Sequence, residues 1–278
     1  MGTGTLYLVG TPIGNLEDLS LRAARILGEA DLIAAEDTRR TLKLLNHLNL
    51  QKPVVSYHEH NRRESGRRLV ESLLEGKTVA LVSDAGMPVV SDPGAELVAE
   101  ASAQGCSVVV IPGPCAASSA LVLSGFDGSR YTFEGFLPRE GKPRRLALEA
   151  LKTEPRTLIF YEAPHRLLKT LKDLLAALGD REAAVCNDIT KFYERTDRVR
   201  LSEAVALFEQ KEPKGEYALV VKGAEPVEVS YEEVTIEEHL RRYLAQGMAK
   251  KDAVKQVAKD RGVAKNEVYL VAMGMEEG

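Results

Sequence analysis

Two adjacent carboxylates followed by an arginine give the sequence its clearest set of groups for acid–base chemistry. Glu36 and Asp37 come directly after an apolar run, and Arg39 follows them at the start of an amphipathic segment. A carboxylate can accept the proton of a hydroxyl group, and a guanidinium group beside it can contact a phosphate. We therefore expect Glu36 or Asp37 to accept a proton and Arg39 to bind a phosphate of the substrate.

Other residues could take the same roles, and a purely structural role is also open. Asn15 and His58 are second candidates for contact with the reacting hydroxyl, and Glu162 is a weaker one. Side chains such as those of Asp37 or Thr38, placed where a helix begins, commonly accept hydrogen bonds from its free N–H groups. The sequence does not separate this capping role from a catalytic one.

Three further loops are rich in glycine, proline and small residues, so each could hold a ligand close to the backbone. The loop GTPIGN at 10–15 fits neither the phosphate-loop pattern nor the dinucleotide-binding pattern. The loop SDAGMPVVSDPG at 83–94 contains Asp84, which could accept hydrogen bonds from ribose hydroxyls, whereas capping of the next helix explains Asp92. The loop IPGPCAASS at 111–119 leaves room for an adenine or a sulfonium chain.

Strands and helices that would position these loops alternate along the first 125 residues. Apolar runs are followed by loops and then by segments with apolar residues at helical spacing. This alternation predicts a parallel sheet covered by helices on both faces, and ligands bind such sheets at the carboxyl ends of the strands. The predicted strands are 5–9, 31–35, 53–57, 78–82 and 107–111.

A second α/β region and a small helical region follow the first. The second region has predicted strands at 131–136, 157–161, 183–189 and 217–221, and predicted helices at 143–152, 164–178 and 202–210. The helical region has predicted helices at 236–245, 249–261 and 265–273. The fold class is therefore α/β, with two α/β domains at 1–125 and 126–224, a linker at 224–230 and a basic helical domain at 231–278.

The composition excludes several classes of protein. The 278 residues carry 37 basic and 41 acidic side chains, so the formal charge of −4 excludes a polybasic nucleic-acid coat. No apolar run approaches the ~20 residues needed to cross a membrane, and the first residues lack the layout of a signal peptide. Three widely spaced cysteines favour a reducing cytoplasm. We expect no metal site, because His58, Glu59 and His60 alternate between strand faces.

Positive charge is concentrated in three segments despite the acidic total. Residues 241–265 carry eight basic and two acidic side chains on short helices, which is typical of a helix-turn-helix-like nucleic-acid module. The two smaller clusters are Arg62, Arg63, Arg67 and Arg68, and Arg139, Lys142, Arg144 and Arg145. Contact with RNA phosphates is one interpretation, and a solvated basic surface is the other.

Seven motifs in order resemble the tetrapyrrole methylase family of S-adenosylmethionine-dependent enzymes, and among them the members that act on ribosomal RNA. The motifs are LYLVGTPIGNLEDLSLRA, AEDTR, SYHEHN, SDAGMPVVSDPG, IPGPCAASSALVLSG, FEGFLPR and YEAPHR. They span nearly the whole chain. The resemblance implies a cytoplasmic homodimer that binds the methyl donor in a cleft between two α/β domains.

The same resemblance implies the reaction and the donor-binding residues. The reaction is 2′-O-ribose methylation of a cytidine in 16S rRNA, within the assembled 30S subunit, with S-adenosylmethionine as donor and neither a metal nor a membrane involved. By position in the motifs, the donor site comprises Pro12, Ser83, Asp84, Ala85, Gly86, Met87, Cys115, Ala116, Tyr161 and Leu219. Cys115 departs from the serine expected at this position.

Two other functions stay open at this point. One is methylation of a small porphyrinoid macrocycle, and the other is a non-catalytic nucleic-acid-binding protein that senses a nucleotide-like ligand. The basic clusters count against the macrocycle, because an enzyme acting on a small molecule does not need them. Transfer of a labelled methyl group to RNA or to a macrocycle would separate the three functions.

Overall fold

The computed structural model describes residues 2–225 and 234–275. The chain forms two compact units, Met1–Ala224 and Glu225–Gly278. None of the helices in the described ranges is long and apolar enough to cross a membrane.

The first unit contains a parallel five-stranded sheet in the order β3-β2-β4-β1-β5. Its strands are β1 (Thr5–Val9), β2 (Leu32–Ala35), β3 (Val54–Ser56), β4 (Val79–Val82) and β5 (Ser107–Ile111). All four side chains of β4 are buried, as expected for an apolar run covered on both faces.

Helices cover both faces of this sheet. They are α1 (Leu21–Glu29), α2 (Thr38–His47), α3 (Arg62–Leu74) and α4 (Ala95–Ala103). Apolar residues of α1 and α2, such as Leu27 and Leu45, pack on one face, while Leu73 of α3 and Leu97 of α4 pack on the other. The predicted α/β class is confirmed, and the carboxyl ends of β2 and β4 lie side by side.

A second sheet in the same unit is mixed, in the order β6-β7-β10-β8-β9. Its strands are β6 (Tyr131–Phe136), β7 (Thr157–Glu162), β8 (Glu182–Asn187), β9 (Arg195–Arg200) and β10 (Tyr217–Val221). Strand β9 was not predicted. It is an edge strand with three arginines and an aspartate, and its sequence RTDRVR lacks the apolar alternation that signals a half-buried strand.

Four helices pack on the second sheet. They are α5 (Ala116–Ser124), α6 (Gly141–Ala150), α7 (Pro164–Leu178) and α8 (Leu201–Gln210). Helices α6 to α8 share one core with the sheet, whereas α5 packs through Ala117, Ala120 and Leu121 on the opposite face. The domain boundary at residue 125 stays a prediction. Helix α5 lies on the amino-terminal side of that boundary, and its core contacts are with the second sheet.

The second unit is a three-helix cluster with its own core. Its helices are α9 (Ile236–Ala245), α10 (Lys250–Arg261) and α11 (Lys265–Gly274), and Leu240, Val254, Val257 and Val268 are buried among them. Gly262 ends α10 with a left-handed φ of 63°, which glycine adopts at little steric cost. These helices match the predicted ones. Most of the linker predicted at 224–230 lies outside the described residues.

Candidate active site

A cavity of about 420 Å³ lies at the carboxyl ends of the parallel strands in the first unit. The loops that follow β2, β4 and β5 form one side, and the facing ends of β7 and β10 form the other. Such a volume is typical of a small-molecule site, and this edge of an open parallel sheet is where ligands bind.

The loops around the cavity are held together by backbone contacts that require glycine. The N–H of Thr11 donates to the carbonyl of Gly86 at 2.9 Å, and the N–H of Gly86 donates back at 3.1 Å. Gly10 and Gly113 approach so closely that a Cβ on Gly113 would lie 2.9 Å from the Cα of Gly10. These contacts fix three of the sequence-predicted loops around one space.

Most of the residues predicted to bind the donor meet at this cavity. Those that line it are Asp84, Ala85, Gly86, Met87, Cys115, Ala116 and Tyr161. Pro12 and Ser83 line a neighbouring cavity of about 180 Å³ instead, which shares Asp84 with the first.

Leu219 is the one predicted donor-binding residue that lines neither of these two cavities. It is 1 % exposed and packs in the core formed with α6 to α8. Side chains alternate between the two faces of a strand, so its neighbour Ala218 faces α5 and lines the cavity. At this strand end the side chain that lines the cavity is therefore that of Ala218, and the donor-binding role of Leu219 stays a prediction.

Tyr161 connects the second sheet to the first residues of α5. Its hydroxyl oxygen accepts a hydrogen bond of 2.9 Å from the N–H of Ala117. Burial, with a smaller effect from the nearby Cys115, raises the pKa of Tyr161, so the phenol is protonated at neutral pH. Tyr161 therefore serves as a neutral wall of the cavity.

Glu36 is the predicted proton acceptor that lines the cavity. Desolvation raises its pKa, and the negative charge of Asp84 adds to the shift. Asp84 accepts a 2.9 Å hydrogen bond from the N–H of Asp37, and the Arg40 guanidinium lies 3.6 Å from its carboxylate. Glu36 is thus the member of the predicted pair with the raised proton affinity of a base.

Asp92 also lines the cavity, and its prediction as a helix cap was wrong. The N-cap of α4 is Gly94, and the helix begins at Ala95. Burial and then the charges of Glu36 and Asp84 raise the pKa of Asp92 to about 7. The Ser-Asp pair occurs twice in this loop, at 83–84 and 91–92, and both aspartates line the cavity. This repeat is the sequence signal that could have identified Asp92 as a residue of the site.

Asp37, Arg39 and Asn15 have structural contacts outside the cavity. Asp37 caps α2 by accepting from the N–H of Arg39 at 2.9 Å, and its carboxylate pairs with the Arg39 guanidinium at 2.7 Å. These hydrogen bonds lower the pKa of Asp37 to about 2, which makes it a weak base. Asn15 caps the short helix Leu16–Asp18. Their catalytic roles stay predictions, which these contacts do not favour.

Replacing Asp37 with alanine is expected to lower the melting temperature by a few degrees and to leave the rate of the catalysed step unchanged. The substitution removes a helix cap and one exposed ion pair, but no group of the cavity. Thermal unfolding and single-turnover kinetics measure the two effects separately. A rate loss of ~100-fold or more would instead place Asp37 among the catalytic groups.

His58 lies near Glu36 but does not line the cavity. Its Nδ1 is buried without a hydrogen-bond partner among the residues that the structure describes. The ring of His60 is 6.0 Å away, edge-on. Across residues 2–225 and 234–275, no group of three or more His, Cys, Asp or Glu side chains is placed to hold a metal ion.

Arg144, for which the sequence left RNA contact and a solvated surface open, is instead buried beside the cavity wall. Its guanidinium pairs with Asp173 at 2.7 Å, and it donates to the hydroxyl of Thr170 at 2.9 Å. Thr170 in turn donates to Glu162 at 2.6 Å, and Glu162 pairs with Arg166 at 3.2 Å. This network holds Glu162 in place at the end of β7, where Glu162 supports the cavity wall.

The fold and the site define a methyltransferase of the tetrapyrrole methylase class. Residues 5–205 match the family described as Tetrapyrrole (Corrin/Porphyrin) Methylases, and the chain belongs to that family.

Within this family, the chain is similar to proteins named as methyltransferases of ribosomal RNA. The chain is 53 % identical to the Ribosomal RNA small subunit methyltransferase I of Halalkalibacterium halodurans, over 96 % of this chain and 94 % of that protein. It is 48 % identical to the protein of the same name from Bacillus subtilis, over 96 % and 93 %.

Two solved structures of other proteins share the fold. The uroporphyrin-III C-methyltransferase of Thermus thermophilus, in complex with S-adenosylhomocysteine, superposes with a TM-score of 0.57 at 27 % identity, over 78 % of this chain and 97 % of that one. A diphthine synthase superposes with a TM-score of 0.63 at 19 % identity, over 79 % and 90 %, which supports the fold alone.

Proposed function

We propose that the chain methylates the ribose 2′-hydroxyl of a cytidine in the 16S rRNA of the small ribosomal subunit, with S-adenosylmethionine as donor. The observation that carries the proposal is the 53 % identity, over nearly the full length of both chains, to a protein named for methylation of small-subunit rRNA. The position 2′-O and the base cytidine come from the motif resemblance.

The cavity suits the proposed donor in size and charge. Ala85, Gly86 and Ala116 leave space for a flat group, and Asp84 offers a carboxylate for hydroxyl or ammonium groups. Carboxylates near a sulfonium cation are electrostatically favourable in a partly desolvated site. The family member that was solved with S-adenosylhomocysteine supports the same class of ligand.

The donor supplies an activated methyl group, so the protein mainly aligns the acceptor oxygen with it. One carboxylate, Asp92 or Glu36, then takes the single proton that the hydroxyl loses as its oxygen bonds to the methyl carbon and the bond from that carbon to sulfur breaks. A carboxylate in this role contributes ~10²–10⁴-fold to the rate. Asp92, with its pKa of about 7, is the better acceptor near neutral pH.

The partner of the enzyme is RNA, and the three-helix unit offers a surface for it. Lys251, Lys255 and Lys259 are exposed and lie one turn apart on α10, whose Val254 and Val257 are buried. Such a stripe can contact successive phosphates. With the resemblance, we place the enzyme in the cytoplasm as a homodimer that acts on the assembled 30S subunit.

Changing Lys251, Lys255 and Lys259 together to glutamine is expected to weaken binding to RNA by ~10-fold or more and to reduce its salt dependence. Binding of S-adenosylhomocysteine should not change, because the three lysines lie outside the unit that contains the cavity. Filter binding across a salt series measures the effect. A matched change of three exposed lysines of the first unit that line none of the cavities described (Lys169, Lys172 and Lys211) serves as the control. Equal affinity and slope in wild type and triple variant would exclude the stripe as an RNA contact.

A transfer assay with a labelled methyl donor tests the proposed function. Deproteinised 16S rRNA, 30S particles and a uroporphyrinoid macrocycle are offered in parallel, and the product nucleoside is identified after digestion. We expect label in RNA as a 2′-O-methylated cytidine. Label in the macrocycle alone would favour the porphyrinoid methylase, and label in none of them would support the non-catalytic protein.

A further inference from the structure

Another cavity of about 370 Å³, which we call the second cavity, adjoins the cavity of about 420 Å³. It is separate from the cavity of about 180 Å³ that Pro12 and Ser83 line. The two cavities share three lining residues, Glu36, Ser91 and Asp92. Both proposed proton acceptors therefore lie on the boundary between two separate spaces. A site that joins two substrates needs this arrangement, because the reacting atoms must meet beside the base.

The loop that carries Ser91 and Asp92, which line both cavities, has an unusual backbone. Val89 and Ser91, in the loop between β4 and α4, have φ values of 75° and 71°. A β-branched residue such as valine rarely adopts this left-handed region, and strained residues of this kind cluster at functional sites. The surrounding fold thus imposes the path of the loop that carries Asp92.

The far side of the second cavity is formed by the loop after β3 and by the first residues of α3 and α4. Tyr57 and Glu59 come from the loop, Arg62 from α3, and Ala95 and Glu96 from α4. A volume of this size lies within the range of sites that enclose a small molecule.

The charges of the second cavity exclude a phosphate as its main occupant. Arg62 pairs with Glu59 at 2.8 Å and with Glu96 at 3.2 Å. Glu36 and Asp92 also line this cavity, so its lining holds four carboxyl groups and one guanidinium group. Hydrogen-bond donors on a neutral group, such as hydroxyls or an exocyclic amine, match these carboxylates, and the guanidinium matches a carbonyl or ring nitrogen.

We propose that the second cavity receives the acceptor nucleoside, whose base and ribose enter unstacked from the RNA. The inference rests on the proposed function, since it assigns the place of the RNA substrate. The ribose lies at the wall beside Glu36 and Asp92, and the base lies toward Arg62 and Glu96. The phosphates stay outside, where Arg63 and Arg67 on α3 are exposed.

Filling the second cavity tests this assignment without touching a catalytic group. Ala95 is the exposed first residue of α4, and Ala99 is exposed one turn further along and does not line the cavity. The variants Ala95→Trp and Ala99→Trp therefore form a matched pair. Steady-state methylation of whichever RNA substrate the wild type modifies is measured together with calorimetric binding of S-adenosylhomocysteine.

Ala95→Trp is expected to lower kcat/KM for the RNA by ~10-fold or more, while its affinity for S-adenosylhomocysteine and its melting temperature match those of Ala99→Trp. Unchanged RNA kinetics in Ala95→Trp would overturn the inference. An equal loss of S-adenosylhomocysteine binding would also overturn it, because the second cavity would then belong to the donor site. Wild-type protein that methylates no RNA would count against the proposed function itself.

Discussion

Replacing Asp92 with asparagine is expected to slow single-turnover methyl transfer by ~10²–10⁴-fold near neutral pH. Asparagine keeps the shape of the side chain but cannot accept the proton. The position lies on the boundary of both cavities, next to the predicted site of reaction. Asp37→Ala provides the control, since it removes a carboxylate of the adjoining loop that lies outside the cavities. A rate within about twofold of wild type in Asp92→Asn would remove this residue as the base.

The same account predicts the pH dependence of the wild type and of Glu36→Gln. The base acts when ionised, so the single-turnover rate should be low below pH 7, rise as Asp92 loses its proton at a pKa of about 7, and level off above it. Burial is the main cause of that raised pKa, and the charge of Glu36 is the next. Removing the charge in Glu36→Gln lowers the pKa of Asp92, so the rise should move to lower pH. A rise at the same pH in both proteins would contradict the coupling.

Gly113→Ala is the substitution expected to affect donor binding most. A Cβ at this position would lie 2.9 Å from the Cα of Gly10, so the two loops would have to separate. The separation would widen the cavity beside Cys115 and Ala116, and we expect S-adenosylhomocysteine to bind at least ~10-fold more weakly. The rise in melting temperature that a saturating ligand causes should shrink accordingly.

Gly128→Ala is the control for this substitution. A Cβ there would lie 3.5 Å from a methyl group of Leu121, which is an ordinary contact. Its ligand-induced stabilisation should equal that of the wild type. If Gly113→Ala folds and keeps the full stabilisation, the close contact of the two loops does not shape the donor site.

The parallel half of the fold could be predicted from the sequence because its signal is strong and local. Strands such as β4 are continuous apolar runs, and the helices between them have apolar residues at helical spacing. The edge strand β9 could not be predicted in this way, because it is stabilised by pairing with β8 and its own residues are mostly charged.

The loops of the site could be predicted from the sequence, but the roles of their charged residues could not. Asp37 and Asp92 both stand before helices and look alike as caps, yet only Asp37 caps a helix. Arg144 looks like a surface cation beside Arg145, and its burial follows from Thr170 and Asp173, which are distant in the sequence. Burial and the charges of distant residues decide such roles, and neither is a local property.

A crystal structure of the full chain grown with saturating S-adenosylhomocysteine would show where the methyl donor binds. We expect density for the molecule in the cavity of about 420 Å³, in contact with residues 84–87 and with Ala116. Its sulfur atom should face the wall that carries Glu36 and Asp92. Density at another place on the chain, or an empty cavity in crystals whose protein binds the molecule in solution, would contradict the account.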